Sequence, residues 1–211
     1  MDPALAAQMG EAVAEKMLQY RRDKSGWKIC REANGVSVSW RPSMEFPGNL
    51  YRGEGIVNGT PEKVWGCVKP LAGTLRDQWD ENVSSFEIIE SITDERGILR
   101  QESGVEAGRV VTKNKSLLLV LLHNAVYQQN RHPLGRHEAH FPQRFRGLGV
   151  GQEVRGWDSQ LQREPGRTHL VTFFQTDLSG YLPRSVVDSF FPRSMAGFYA
   201  NLEKAVKKFY S

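Results

Sequence analysis

The C-terminal stretch PRSVVDSFFPRSMAGFYANLEKAVKKFY, Pro183–Tyr210, has a long helical pattern. Its apolar side chains recur every three to four residues, which is typical of an amphipathic α-helix. They are Val187, Phe191, Met195 (or Ser194), Phe198, Leu202, Val206 (or Ala205) and Phe209. Lysines occupy the last turns, where cations interact favourably with the negative end of the helix dipole. The stretch therefore predicts one long helix opened by Pro183.

Two features of this predicted helix bear on its role. Pro192 lies inside the pattern, and because the periodicity continues past it, we expect a kink and not an end. The apolar stripe is also rich in aromatic residues, with Phe190, Phe191, Phe198 and Tyr199 among them. Such a stripe is either plain core or the inner wall of a cavity, since large apolar sites are lined in this way. Periodicity alone leaves both interpretations open.

Outward from the helix, the preceding segments have strand character. His169–Gln175 is apolar, β-branched and aromatic, which predicts a buried strand, and Leu178–Leu182 predicts a turn. Near the other end of the chain, Trp27–Ile29 and Val36–Trp40 alternate with polar residues and predict two strands. Asn34-Gly35 between them is a strong hairpin signal, because both turn residues need positive φ.

The remaining N-terminal segments complete this outline. Leu5, Met9, Val13 and Met17 repeat at helical spacing, which predicts an N-terminal helix. Leu50–Val57 and Phe86–Ile92 are further strand candidates. Between them, Thr60-Pro61-Glu62 predicts the start of a short helix that ends at Pro70, since Thr60 can cap it and Pro61 has its φ preset for the first helical position.

Composition narrows the class of protein. The chain has 211 residues, of which 39% are hydrophobic and 25% charged, and its net charge is +4. These values indicate one globular domain and argue against disorder. Two cysteines are too few for a disulfide framework or a cysteine-based metal site. Because the N-terminus does not resemble a signal peptide and the longest apolar run, Leu117–Leu122, is too short to span a membrane, we expect a cytosolic protein.

Other candidate sites in the middle of the chain match known chemistry poorly. The histidine cluster has spacings that fit no metal site, so no metal and no cofactor are expected. The glycine-rich Gly147–Gly151 has no preceding strand or following helix of the kind that a phosphate-binding loop needs. Several arginines around Trp157 could form a nucleic-acid patch, but a solvated basic loop is the simpler interpretation, and no nucleic-acid partner is expected. The histidines are His132, His137 and His140, and the arginines are Arg144, Arg146, Arg155, Arg163 and Arg167.

Two motifs, read with the helix that follows them, carry a family resemblance. Trp79-Asp80-Glu81-Asn82-Val83, then Asp177-Leu178-Ser179-Gly180-Tyr181-Leu182-Pro183, then the long helix resemble the START (StAR-related lipid transfer) domain family. The resemblance covers residues 1–93 and 165–211, and it implies a single domain over residues 1–211. The implied architecture is an α+β helix-grip fold, in which a curved antiparallel sheet wraps around the C-terminal helix and one lipid lies in a tunnel between them.

The same resemblance implies a function and a set of site residues. Matching the family's C-terminal helix makes Phe191, Ser194, Phe198 and Leu202 the lipid-binding, tunnel-facing positions. The single-domain cytosolic members that the chain resembles are associated with sterols, such as cholesterol, and with bile acids. The implied protein is therefore a monomeric, non-enzymatic carrier of such a lipid, with transient contact to membrane surfaces. An enzyme on the related scaffold is the less favoured alternative, because no nucleophile or acid–base pair stands out.

Residues 94–164 depart from the family pattern. Where relatives read PRDFVDL, this chain reads PQRFRGL at Pro142–Leu148, and the nucleotides CCCCAGAGATTTCGTGGACTT encode both strings in frames one base apart. This predicts a central segment that is disrupted by a shifted reading frame, with Leu117–Val126 as a single replacement strand. The alternative function is therefore an aberrant isoform or gene product with impaired or no lipid binding.

Overall fold

A computed structural model gives the backbone of ten stretches of the chain. They are residues 2–44, 48–69, 73–81, 85–93, 96–107, 110–121, 125–131, 150–155, 166–175 and 184–211. Within them the chain forms two antiparallel sheets and three α-helices.

The N-terminal helix α1 spans Pro3–Arg22. Asp2 caps it, because its carboxylate accepts hydrogen bonds from the backbone N–H groups of Ala4 and Leu5 at 2.7 and 3.3 Å. Pro3 stands in the first turn, where a missing N–H costs no hydrogen bond. The helix predicted from Leu5 to Met17 is confirmed.

The first two strands form the predicted hairpin. Strand β1, Lys28–Ala33, pairs antiparallel with β2, Val36–Pro42. Asn34 and Gly35 have φ of 53° and 76°, so both central residues of the turn adopt the left-handed conformation that this hairpin requires.

The next strand of this sheet pairs with a strand that is distant in sequence. Strand β3, Asn49–Asn58, pairs antiparallel with β2 and also with β9, Arg167–Gln175, in a register from Leu50 opposite Gln175 to Asn58 opposite Arg167. Strand β8, Val150–Arg155, pairs with the other edge of β9. The sheet order is therefore β1-β2-β3-β9-β8.

A second, four-stranded sheet has the order β4-β5-β6-β7. Its strands are β4, Ser85–Thr93; β5, Arg96–Ala107; β6, Val110–Leu121; and β7, Ala125–Arg131. The strand predicted at Phe86–Ile92 is confirmed. The single strand predicted over Leu117–Val126 is wrong, because β6 ends at Leu121 and β7 begins at Ala125. The polar pair His123-Asn124 interrupts the apolar run between them and indicates two strands.

The segment expected to be disrupted, residues 94–164, is only partly described. Its described residues form β5, β6, β7 and β8, whereas the rest of the segment lies outside the described stretches. Residues 132–149 and 156–165, which include Pro142–Leu148, are outside them. The turn expected at Leu178–Leu182 and the helix stop at Pro70 also fall outside the described residues.

Helix α2, Pro61–Val68, begins where the sequence predicts. Thr60 accepts a hydrogen bond from the backbone N–H of Lys63 at 3.5 Å, and Pro61 occupies the first turn. A short 3-10 helix, Leu75–Gln78, follows. It brings Arg76 and Trp79, the first residue of one of the two sequence motifs, back against α2.

The C-terminal helix α3 spans Arg184–Tyr210, and Pro192 lies inside it without ending it. The helix packs on β2 and β3 and on α2. Together these elements enclose the main hydrophobic core, in which Val38, Val57, Val64, Leu170 and Leu202 are almost completely buried. An antiparallel sheet that packs around a long C-terminal helix is the α+β helix-grip architecture expected from the sequence.

Candidate functional site

Two glycines on β3 bring α3 into direct contact with the sheet. A Cβ atom added at Gly53 would lie 2.7 Å from Thr172 Oγ1 and 3.1 Å from atoms of Met195 and Tyr199. A Cβ atom at Gly55 would lie 3.1 Å from the Tyr199 ring. Because these positions have no side chain, Met195 and Tyr199 can rest on the backbone of the strand.

Tyr199 is the central contact between α3 and the sheet. Its side chain is 3% exposed, and its hydroxyl donates to the backbone oxygen of Leu170 at 3.0 Å and lies 3.2 Å from Thr172 Oγ1. Burial raises the pKa of this phenol above its usual value. The hydroxyl therefore stays neutral and holds the middle of the helix to β9.

The two ends of α3 are held to the two ends of β3 by polar bonds. Near the start of the helix, Asp188 Oδ1 accepts hydrogen bonds from Tyr51 Oη at 2.6 Å and from Asn49 Nδ2 at 3.0 Å. Near its end, Glu203 accepts from the backbone N–H and the side-chain amide of Asn58 at 2.9 and 2.6 Å. These bonds fix the direction in which the helix crosses the sheet.

A second stripe of α3 lies beside the sheet-facing one and is only half-buried. Phe191, Ser194 and Phe198 are spaced by three and four residues, so they share one face of the helix. Phe191 stacks on Phe174 of β9, with ring centroids 4.3 Å apart, and lies 5.8 Å from the Tyr51 ring. The apolar members of this stripe thus keep accessible surface next to a dense core.

Phe198 faces the segment that follows α2. Its ring centroid lies 5.4 Å from that of Trp79, and the guanidinium of Arg76 lies 6.0 Å from the Phe198 ring. The half-buried stripe is therefore flanked by β9 at Phe191 and by the 3-10 segment at Phe198.

The structure places the four predicted lipid-binding residues in two environments. Phe191, Ser194 and Phe198 are half-buried, whereas Leu202 is 0% exposed and belongs to the main core. All four lie on one helix, as the spacing implies. The sequence analysis did not identify Trp79 or Phe174 as neighbours of the stripe. The only feature of the sequence that pointed to these neighbours is the aromatic character of their segments.

The opposite face of the five-stranded sheet carries a separate cluster. Tyr20 and Trp27 pack on Phe173 with centroid distances of 5.7 and 6.2 Å, and the Arg41 guanidinium lies 4.6 Å from the Trp27 ring. Arg41 also pairs with Asp23. This cluster holds the end of α1 on the sheet, on the side away from α3.

A charged network borders that cluster. Glu54 Oε1 pairs with His169 Nε2 at 2.8 Å, and Glu54 Oε2 accepts from Arg52 Nη2 at 2.6 Å. The hydrogen bond from His169, followed by the positive charge of Arg52, lowers the pKa of Glu54 to about 2. Glu54 is therefore ionised throughout the physiological range.

The described residues show little that resembles a reactive centre. Among them, no group of three metal-ligating side chains comes together. Burial raises the pKa of the Cys67 thiol to about 11, which keeps it protonated and unreactive. Of the candidates in the middle of the chain, the three histidines and the glycine-rich stretch up to Gly149 lie outside the described residues. No helix in the described stretches is long and apolar enough to cross a bilayer.

A helix-grip domain with a half-buried apolar stripe on its C-terminal helix is the architecture of a START domain, and the chain belongs to the StAR-related lipid transfer family. It is similar to StAR-related lipid transfer protein 5 from Bos taurus, at 62% identity over 213 residues with 100% of both chains covered. No protein-family model matches the chain.

Solved structures give the same result. The structure of human StAR-related lipid transfer protein 5 matches with a TM-score of 0.78 and 53% identity, and the match covers 99% of each chain. The STAR-related lipid transfer protein from Xanthomonas axonopodis matches with a TM-score of 0.59 over 87% of this chain and 99% of that one. At 13% identity, this second similarity concerns the fold alone.

Proposed function

We propose that the chain binds one sterol or bile acid molecule, without chemical conversion, and carries it through the cytosol between membranes. The half-buried stripe of α3 is the observation that carries this proposal. Phe191, Ser194 and Phe198 keep accessible surface, although the neighbouring sheet-facing residues of the same helix are buried. An apolar ligand would cover that surface. Leu202 would then form the closed end of the site.

The driving force for binding is the removal of apolar surface from water. It contributes roughly 25 cal/mol per Å² of apolar area buried. The lipid itself is a large apolar body, so burial of its surface supplies the affinity without a reactive residue on the protein. The similarity to lipid transfer proteins over the whole chain supports the same function.

A thermal melt tests this proposal. The purified chain is melted alone and with cholesterol, deoxycholate or phosphatidylcholine. A ligand at about 100 times its Kd adds roughly 2.7 kcal/mol of stability, or on the order of 5 to 10 °C for a domain of this size. We expect cholesterol or deoxycholate to give such a shift. If neither changes the melting temperature, the proposal fails.

Ser194 offers a matched pair of variants for the same experiment. Ser194→Trp adds an indole to the half-buried stripe, so we expect it to abolish the ligand-induced shift while the ligand-free protein still melts cooperatively. Ile56→Trp makes the same addition of bulk at an exposed position of β3, where Ile56 is 38% exposed. This control should keep the shift. An unchanged shift in Ser194→Trp would contradict the location of the site.

A second candidate is an aberrant isoform with impaired or no lipid binding. The shifted-frame reading of Pro142–Leu148 favours it. Mass spectrometry of the endogenous protein tests it, because a peptide with the sequence PQRFRGL is produced only in this frame. Detection of that peptide, together with a normal ligand-induced shift, would overturn this candidate.

A further inference from the structure

The motif that begins at Trp79 places an indole ring against the half-buried stripe of α3. We propose that Trp79 forms a second wall of the lipid site, beside α3, and that Arg76 and Asp80 are positioning residues that hold its indole in place. This inference rests on the proposed function. It adds a fixed, non-helical side to a site that is otherwise built on one helix.

The contact between Trp79 and Phe198 carries the first step. The two ring centroids are 5.4 Å apart and the ring planes are tilted by 48°. Both rings are half-buried, and they come from different elements. Two aromatic rings in contact, each with accessible surface, form a continuous apolar wall of the kind that lines small-molecule sites.

The second step concerns the single polar atom of the indole. Trp79 Nε1 donates to the backbone oxygen of Cys67 at 2.9 Å. Because Nε1–H is the only hydrogen-bonding group of a tryptophan side chain, this bond satisfies the side chain completely. The ring therefore offers a ligand an apolar surface, and it is held by its polar edge to the last turn of α2.

The third step is the buried ion pair behind the indole. Arg76 is 7% and Asp80 4% exposed, and Arg76 Nε lies 3.0 Å from Asp80 Oδ2. Arg76 Nη1 also donates to the backbone oxygen of Val68 at 2.9 Å. The last carbonyl groups of a helix lack partners within the helix, and here two of them are bound by the guanidinium and by the indole. The whole segment is thereby fixed to α2.

The chemistry of this wall defines the part of the ligand that it contacts. It is a hydrocarbon portion, such as a fused ring system, because the indole N–H is already occupied and the Arg76 charge is paired with Asp80. A hydroxyl or carboxylate of the ligand would be bound elsewhere.

Binding of two probes, dehydroergosterol and deoxycholate, tests this inference. At least one of these probes should bind to the wild-type chain. For that probe, we expect Trp79→Leu to raise the Kd by about 10-fold. Trp27→Leu is the matched control, because Trp27 packs on the opposite face of the sheet, and it should change binding by less than 2-fold. Equal effects of the two substitutions would overturn the inference while the proposed function stands. A wild-type chain that binds neither probe would overturn both.

The positioning role has its own readout. Asp80→Asn should weaken binding when Trp79 is present and have no further effect in the Trp79→Leu background, since residues that act as a unit are not additive. Additive losses of binding would show that Asp80 acts independently of Trp79 and would overturn the positioning role.

If Trp79→Leu does not melt cooperatively, a second measurement takes the place of its binding assay. This measurement is the energy transfer from tryptophan to bound dehydroergosterol. Trp79→Phe should lose more of this transfer than Trp27→Phe, because Trp79 is the nearer donor. Equal losses would contradict a wall at Trp79.

Discussion

The two adjacent stripes of α3 differ in what covers them. Met195, Tyr199 and Leu202 lie on the sheet and are at most 9% exposed, whereas Phe191 and Phe198 are half-buried. Both stripes contain large apolar side chains, so their composition does not distinguish the buried stripe from the half-buried one. The difference arises from the partner, because the sheet-facing stripe meets the glycine backbone of β3 and the other meets single aromatic rings. We therefore expect the first stripe to determine stability and the second to determine binding.

The largest expected effect on stability is at Leu202. It is 0% exposed, and Leu202→Ala would leave a cavity in the main core. We expect this substitution to lower the free energy of unfolding by about 3 kcal/mol. Urea unfolding measures it. A loss below about 1 kcal/mol would mean that Leu202 faces an open space, as its neighbours on the half-buried stripe do.

Phe198→Ala should affect lipid binding more than it affects stability. Its ring is half-buried, so we expect the free energy of unfolding to fall by about 1.5 kcal/mol, less than for a fully buried phenylalanine. Binding of cholesterol or deoxycholate should weaken by 10-fold or more, because the ring is part of the proposed wall. Unfolding and equilibrium binding of the same preparation give both numbers. The assignment of the two stripes would be wrong if Phe198→Ala cost more stability than Leu202→Ala and left binding intact.

Tyr199→Phe removes only a hydroxyl from the sheet-facing stripe. Because this hydroxyl bonds to Leu170 O and lies 3.2 Å from Thr172 Oγ1, its loss removes a buried hydrogen bond between α3 and β9. We expect a cost of about 1 kcal/mol and unchanged lipid binding. Tyr20→Phe, on the other face of the sheet, is a control for loss of a hydroxyl. A change in ligand affinity without a change in stability would reverse the role assigned to this residue.

The smallest effect is expected at the charged network on the far face of the sheet. The pKa of Glu54 is lowered to about 2, so its stabilising contribution is complete above the ordinary value near 4.5 and is lost as pH falls toward 2. Since Glu54 is about one-third exposed, solvent screening reduces this contribution to about 1 kcal/mol. Glu54→Gln should be less stable than wild type at pH 6 and equal to it near pH 2. If the difference in unfolding free energy between Glu54→Gln and wild type were constant across this pH range, the ion pairs could not be its cause. Ligand binding of Glu54→Gln at pH 7 should equal that of wild type.

Local sequence signals predicted the described α-helices and strands outside residues 94–164. Asn34-Gly35 fixed the hairpin, Thr60-Pro61 the start of α2, and the pattern from Val187 to Phe209 the long helix through Pro192. These features depend on interactions between residues close in sequence, and for that reason a single chain shows them. The division into β6 and β7 was missed, although the polar pair His123-Asn124 interrupts the apolar run there. Strands β5 and β8 were not predicted either, because they contain few large apolar residues and form by pairing with neighbouring strands.

The candidate site was only partly accessible to such reasoning. The 3.6-residue period places Phe191, Ser194, Phe198 and Leu202 on one face, and the family resemblance marks that face as the lipid side. It does not show that Leu202 is enclosed by the core while Phe198 keeps accessible surface. That distinction depends on contacts with residues distant in sequence, such as the contact of the Phe198 ring with Trp79, more than 100 residues away.

The sequence by itself determined the α-helices and strands outside residues 94–164, because capping, turn geometry and hydrophobic period are local properties of the chain, and its motifs carried the family resemblance. Only the tertiary structure decided which apolar residues of the helix are buried in the core and which keep accessible surface. Gly53 and Gly55 bring the helix onto the sheet along one stripe, and the buried pair of Arg76 and Asp80 sets an indole against the next. Burial is a property of what packs against a side chain, and that partner comes from a distant part of the chain.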